Sequence, residues 1–171
     1  YDVYFAGDRA AQLFYDVPNT RTRVFRGSRD PGAPPHRFGT GPWRAPGANM
    51  NVWARESHVD VMAAAAGLDP VEFRLRNMGD ERMRRVLQEA AKAFGWKPAA
   101  APSGRGWGVA CGVDSGTYAT LAVEVKVDRA SGAVRVERVV CAQDMGVVVN
   151  PDGATMQVEG CVAMGLGYAL R

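Results

Sequence analysis

The sequence predicts an α+β fold, an antiparallel β-hairpin or small sheet carrying helices mainly on one face. Three observations predict it. Residues 118–127 alternate, with Leu121, Val123, Val125 and Val127 on one side and Thr120, Glu124 and Lys126 on the other, which is the period of a strand. Asp128-Arg-Ala-Ser-Gly132 follows as a hairpin loop with its glycine placed for positive φ, and residues 133–142 return as the second strand. Upstream, Met83, Val86, Leu87, Ala90, Ala91 and Phe94 recur at helical spacing.

The other elements follow in chain order. Residues 1–20 read as irregular or as one short element closing at Tyr15-Asp-Val-Pro18. Residues 27–47 are a Pro- and Gly-rich loop, long enough to suggest function. Residues 48–66 predict a helix, because Val52, Val59, Met62, Ala63 and Ala66 share a face and Gly67 is placed to end it. Glu56 falls inside that apolar stripe. Either an arginine pairs with it, Arg44 or one just C-terminal, or it lies at the stripe's edge and reaches water. Asp69-Pro70 starts a short helix to about Asn77, with Asp as N-cap and Pro in the first turn. Asp80 caps the next helix, whose acids lie at its N-terminus and Lys92 near its C-terminus, as the helix dipole favours. A short strand is expected over 107–113, and Asn150-Pro151 starts a helix that runs to the end of the sequence. Gly160, Gly165 and Gly167 leave that last helix bare, which suggests close approach by another backbone or a ligand. The organisation is therefore an extended arm over 1–47, a helical segment over 48–96, a linker over 97–106, and a hairpin with a C-terminal helix over 107–171. All four belong to one structural domain.

Composition excludes several function classes. No apolar run approaches the ~20 residues of a membrane span. No signal peptide is visible from Tyr1 onward, and the lack of a starting Met suggests a start inside a larger reading frame or removal by processing. Cytoplasm and periplasm both stay open. The net charge is +3, yet Arg21, Arg23, Arg26, Arg29, Arg37 and Arg44 crowd one stretch with a single acid, Asp30. No aromatic interleaving or nucleic-acid motif accompanies them, so a solvated loop is preferred to nucleic-acid binding. Cys111, Cys141 and Cys161 form no CxxC pair, which argues against a zinc site, an iron–sulfur site or a disulfide framework within these residues. His36 and His58 fit no ligand pattern.

No autonomous active site emerges from the residues alone. Walker, GxGxxG and Gly-x-Ser-x-Gly motifs are missing. What remains are two glycine-bearing turns that feed helices, Arg44-Ala-Pro-Gly47 and Asp144-Met-Gly-Val-Val-Val-Asn-Pro151. Such turns present backbone N–H groups near a helix start, a generic site for anionic groups.

A family resemblance gives these turns a meaning. Trp43-Arg-Ala-Pro-Gly47, Glu56-Ser-His-Val-Asp60 and Gly67-Leu-Asp-Pro-Val-Glu-Phe-Arg-Leu-Arg-Asn77 read as one signature. Asp144-x-Gly146-x-x-x-Asn150-Pro151, Gln157-Val-Glu-Gly160 and Gly165-Leu-Gly167 read as a second, in the same order. Both resemble the large molybdopterin-binding subunit of the xanthine dehydrogenase/aldehyde oxidase superfamily, and most of all the bacterial isoquinoline 1-oxidoreductase β-subunits. The two signatures together cover most of the chain.

The resemblance implies that the chain is an excerpt of a molybdenum-cofactor-binding domain within a larger subunit. The implied reaction is oxidative hydroxylation of an N-heterocycle or aldehyde with oxygen from water. The implied cofactor is molybdenum on molybdopterin, in its cytosine dinucleotide form, and the implied partner is a small [2Fe–2S] subunit. Arg44 and Ala45 would approach the cofactor through their backbone, Pro46 would stand at the substrate-pocket wall, and Gln157 would hydrogen-bond the metal–pterin centre. Its carboxamide donates and accepts at once, which suits that place. Glu56, Asp60, Asp69, Arg74 and Arg76 read as ion pairs and caps that hold the fold. Cys161 and Met164 stand where relatives commonly carry Gly and Gln, a departure from the family pattern that bears on the detailed shape around the cofactor. The family's Gly-Gly-Phe-Gly-type loop, its Gln-Gly turn and its Gly-Glu-Pro-type segment with the catalytic glutamate are not among these residues. The catalytic glutamate is expected downstream, no catalytic residue is assigned within this chain, and the isolated chain is expected to be inactive and to retain no cofactor. Self-association of such an excerpt is expected. The alternative is a non-catalytic scaffold or subunit-interaction domain derived from the same family.

Overall fold

A computed structural model describes residues 9–21, 44–97 and 104–170. The arginine-rich loop over 22–43 and the middle of the 97–106 linker lie outside the described residues. The elements run α1 (Ala48–Ala65), α2 (Pro70–Arg76), α3 (Glu81–Phe94), β1 (Arg105–Asp114), β2 (Thr117–Val127), β3 (Val134–Asp144) and α4 (Pro151–Leu170). The strands form one antiparallel sheet in the order β1-β2-β3. The fold is α+β, as the alternation and the helical stripe predict. β1 starts at Arg105, two residues before the strand expected from sequence, and pairs with β2 along its whole length.

Local signals set the helix ends. Asp69 caps α2 by accepting from the amides of Val71 and Glu72 at 2.9 and 3.2 Å. Asp80 caps α3 through the amides of Arg82 and Met83. Gly67, at φ +66, closes α1, with Leu68 N–H donating to Ala63 and Gly67 N–H to Ala64. That doubled bond needs a left-handed residue, which glycine adopts without steric cost.

The core lies between the sheet and α1–α3. Met83, Val86, Leu87, Ala90 and Phe94 of α3 are buried, each burial of a large side chain contributing about 1.5–3 kcal/mol. Helix α3 packs on β2 and β3; Met83 and Leu87 share a cluster with Val109 and Cys111 of β1, and Thr120 and Ala122 of β2 are buried. The covered side of β2 is therefore the Thr120 side, and the Leu121–Val127 row lies on the other face. Small residues at 120 and 122 admit the bulky stripe of α3. The Val-rich row is half-buried to exposed.

Tyr15 is the one buried residue of the arm over 9–21, bridged to Met78 beneath α1 and α2. Met50, Trp53 and Val61 face outward on α1. Helix α4 makes its main packing with β3 and buries no residue. A Cβ at Gly160, Gly165 or Gly167 would meet nothing within 4 Å among the described residues, so the close approach expected of those glycines is not made by them. No helix of the described residues is long and apolar enough to cross a membrane.

Candidate functional site

The first turn, Arg44–Gly47, is held in a conformation that disfavours side chains. Ala45 has φ 58 and Gly47 φ 67, both left-handed. A non-glycine residue there costs about 1–2 kcal/mol, so surrounding contacts must impose it. Gly47 is the N-cap of α1 and brings no capping side chain. Arg44 and Ala45 are exposed, and Pro46 is half-buried. The turn thus lies at the surface of the described residues, at the positive end of a helix.

Its position is fixed by the helix behind it. Glu56, 3% exposed, accepts from Tyr15 Oη at 3.0 Å, Arg55 Nε at 2.9 Å, Arg74 Nε at 3.0 Å and the Cys111 amide at 3.0 Å. Arg74, fully buried, also donates to Asp60 at 2.7 Å and to the carbonyls of Pro70 and Glu56. Arg55 donates to the carbonyls of Ala10, Gln12 and Cys111 and lies 4.4 Å over the Phe14 ring. The acid in the apolar stripe is therefore paired, and its partners are Arg55 and Arg74, not Arg44. The cluster ties the arm, α1, α2 and β1 together. Burial first, then the neighbouring Cys111 and Glu56, pushes the Tyr15 hydroxyl well above its ordinary range, so it remains a donor. Burial, then Glu56, pushes the Cys111 thiol up to about 11, which leaves it neutral and unreactive.

The second turn leaves the end of β3. Asp144 Oδ1 accepts the Gly146 amide at 3.0 Å, and Gly146 takes φ +78. Asn150 Oδ1 accepts the Gly153 amide at 2.9 Å and so caps α4. Val147 and Val149 are more than nine-tenths exposed. Gln157, in the second turn of α4, is exposed.

The two turns stand at the same end of the sheet. Tyr118 pairs with Asp144, and Thr117 with Asp114, so the β1–β2 turn and the end of β3 lie side by side. Helix α1 points its N-terminus to that end as well. Asn51 donates to the Arg9 carbonyl, the Arg9 guanidinium binds Asp114, and Gly112 lies beside Val52. Helix α1 packs along β1 and α4 along β3, so the turns occupy opposite edges of a three-strand sheet, with the strand spacing of ~5 Å between neighbours. Arg44, Ala45 and Pro46 are brought to one edge, and Gln157 follows from the other.

A family model described as the molybdopterin cofactor-binding domain matches residues 90–171, which hold the sheet, the second turn and α4. The chain is 34% identical over 144 residues to a nicotinate dehydrogenase subunit of Pseudomonas putida, covering 75% of this chain and 12% of that protein. It is 36% identical over 121 residues to the isoquinoline 1-oxidoreductase β-subunit of Brevundimonas diminuta, covering 69% of this chain and 16% of that protein. The chain belongs to the molybdopterin-binding xanthine dehydrogenase/aldehyde oxidase family. A further relative, an aldehyde oxidoreductase molybdenum-binding subunit of Escherichia coli, is 30% identical over 133 residues, with 76% of this chain and 18% of that protein covered. The family member in hand thus spans between 12% and 18% of the length of these three relatives.

The residues of this molybdopterin-binding domain fit the organic part of such a cofactor. A surface turn at a helix N-terminus suits phosphate or pterin oxygen, and an exposed carboxamide both donates and accepts. Among the described residues no three His, Cys, Asp or Glu side chains converge as a metal ligand set. These groups offer hydrogen bonds, not metal ligation.

One feature of the site escaped the sequence. Arg82, in the first turn of α3, grips Asp144 with Nε at 3.0 Å and Nη2 at 2.8 Å. The Arg82 hydrogen bonds first, then the Gly146 amide, hold the Asp144 carboxyl down at about 2. An unfolded aspartate titrates near ~3.9. The folded value is the lower one, so the pair's contribution is fully present above the unfolded value and is lost as pH falls through the folded one. We expect the Asp144 carboxyl carbon to titrate near about 2 by NMR, and to return toward ~4 in Arg82→Gln. A midpoint near ~4 in the intact chain would contradict the pairing.

Proposed function

We propose that this chain forms the cofactor-facing part of an oxidoreductase that hydroxylates an N-heterocycle or an aldehyde. The observation that carries the reading is the placement of both signature turns at one end of the sheet. The names of the relatives support the substrate classes, since they include nicotinate, isoquinoline and aldehyde enzymes. Molybdenum on molybdopterin, in the cytosine dinucleotide form, would supply activation of water and take up the substrate's electrons. The chain's own residues bind and orient. The backbone of Arg44 and Ala45 and the carboxamide of Gln157 would hold the cofactor, and Pro46 would shape the substrate wall. None of these is an acid, a base or a nucleophile, so the chain alone is proposed to be catalytically silent. A small [2Fe–2S] subunit is the proposed electron partner. The outward Met50, Trp53 and Val61 of α1, and Met156 and Tyr168 of α4, would drive self-association of the excised chain.

The test uses the full subunit with its partner. Elemental analysis should find molybdenum, and nicotinate, isoquinoline or benzaldehyde should gain oxygen from labelled water. Gln157→Ala should retain cofactor on the order of tenfold less well, the loss of a hydrogen bond to a charged group. A subunit that never holds molybdenum would move the reading to a non-catalytic scaffold.

A further inference from the structure

We propose that Arg82 is a positioning residue, a clamp that sets where the Gly146 amide and the start of α4 stand at the cofactor-facing end of the sheet. The inference rests on the functional reading above for its consequence, but not for its geometry.

Arg82 acts through Asp144. Its two nitrogens take both carboxylate oxygens, so the plane of the carboxylate follows the plane of the guanidinium. The same Oδ1 that accepts from Arg82 accepts the Gly146 amide. Fixing the carboxylate therefore fixes the first step of the turn, where Gly146 takes its left-handed φ.

Arg82 is itself held from three sides. Its guanidinium lies 4.3 Å over the Tyr118 ring, and Tyr118 is the strand neighbour of Asp144. Tyr118 Oη donates to Asp80 Oδ2 at 3.1 Å. Asp80 Oδ1 accepts the Arg82 amide at 2.9 Å. The contacts close a ring from the N-cap of α3, through Tyr118 and Asp144, back to Arg82. Behind that ring, Met83 and Leu87 anchor α3 in the core without exposed surface. The clamp is mounted on a rigid element, as a precise site requires.

Two further facts point to geometry as the clamp's task. Both side chains are more than a third exposed, at 40% and 36%, so the pair adds little to global stability. Helix α4 leans on β3 with a half-buried row, Ala154, Val158, Val162 and Leu166, and fully buries no residue, so its packing alone holds its start weakly. Its first turn is held by the Asn150 cap, and the strand end before it by the pairing of Asp144 with Tyr118. A lysine at position 82 would supply the charge but not the fork.

The experiment takes the full subunit in its complex, as Arg82→Gln and Arg82→Lys. Hydrogen exchange is followed over residues 144–153 and over α3, with molybdenum content, kcat per molybdenum and KM alongside. Arg82→Gln should speed exchange over 144–153 on the order of tenfold while α3 stays within about twofold. Molybdenum content or kcat per molybdenum should fall on the order of tenfold with KM moved less, and Arg82→Lys should lie between. Unchanged exchange over 144–153, or an equal rise over α3, overturns the clamp. Faster exchange with molybdenum content and kcat unchanged overturns its positioning role. A wild-type subunit without molybdenum defeats the functional reading, and the exchange comparison still decides the clamp.

Discussion

Glu56→Ala is expected to destabilise the fold by about 3–5 kcal/mol, a large share of the roughly 5–15 kcal/mol available to a domain. The reason is an asymmetry in the buried cluster. Glu56 is the common acceptor for Tyr15, Arg55, Arg74 and the Cys111 amide. Removing it orphans four donors at once, one of them on the fully buried guanidinium of Arg74. Asp60 still pairs with Arg74, but that carboxylate is 43% exposed and reaches only Nη1. An unpaired buried donor costs about 1–3 kcal/mol. Arg74→Met should cost less. The carboxylate then keeps three donors, and the thioether fills part of the space. Chemical denaturation of the chain and both variants decides the order. Equal losses, or a loss below about 1 kcal/mol for Glu56→Ala, would show the cluster to be solvated and weak.

That cluster also marks where the sequence stopped being readable. The stripe over 48–66 announces that Glu56 is anomalous, and the signature around Asp60 and Arg74 announces ion pairs. Which arginine reaches Glu56 depends on α2 folding back along α1, and nothing local encodes that. Arg55 is a sequence neighbour whose guanidinium turns inward because the carbonyls of Ala10 and Gln12 wait there. Caps behave differently. Asp69, Asp80 and Gly67 act within four residues of themselves, so they were legible. The alternation over 118–127 separates two faces but does not say which is covered. α3 chose the Thr120–Ala122 face because its own side chains are large. For the candidate site, both turns are visible in the sequence, and their standing at one end of the sheet is not. It follows from the register that sets Tyr118 against Asp144, and from the helix α1 that runs back along β1. The Arg82 clamp spans 62 positions and becomes visible only through that register.

Phe94→Ala should cost about 3–5 kcal/mol, and unlike a change at Arg82 it should leave the turn over 144–150 undisturbed. Phe94 is 1% exposed and closes the far end of the core. Its ring meets Trp107 edge-on at 5.3 Å and Trp96 at 5.8 Å, and the Arg138 guanidinium lies 4.2 Å over it. Arg138 also donates to the Phe94 carbonyl at 2.7 Å, which ties the C-terminus of α3 to β3. Truncation removes the ring from all three partners and leaves a cavity that two tryptophans line. Their emission should shift to longer wavelength as water reaches them. The backbone bond from Arg138 survives, so α3 should keep its place on the sheet. Arg82 lies twelve positions earlier on α3, roughly 18 Å along the helix axis, beyond the reach of local relaxation. Denaturation midpoints and tryptophan emission measure the first effect, and hydrogen exchange over 144–153 measures the second. A loss below about 1 kcal/mol would mean that the tryptophans close over the gap. Accelerated exchange at the turn without global unfolding would mean that α3 transmits its packing as a rigid lever. The stability of the sheet's far end and the geometry of the end that carries the two turns would then be one property rather than two.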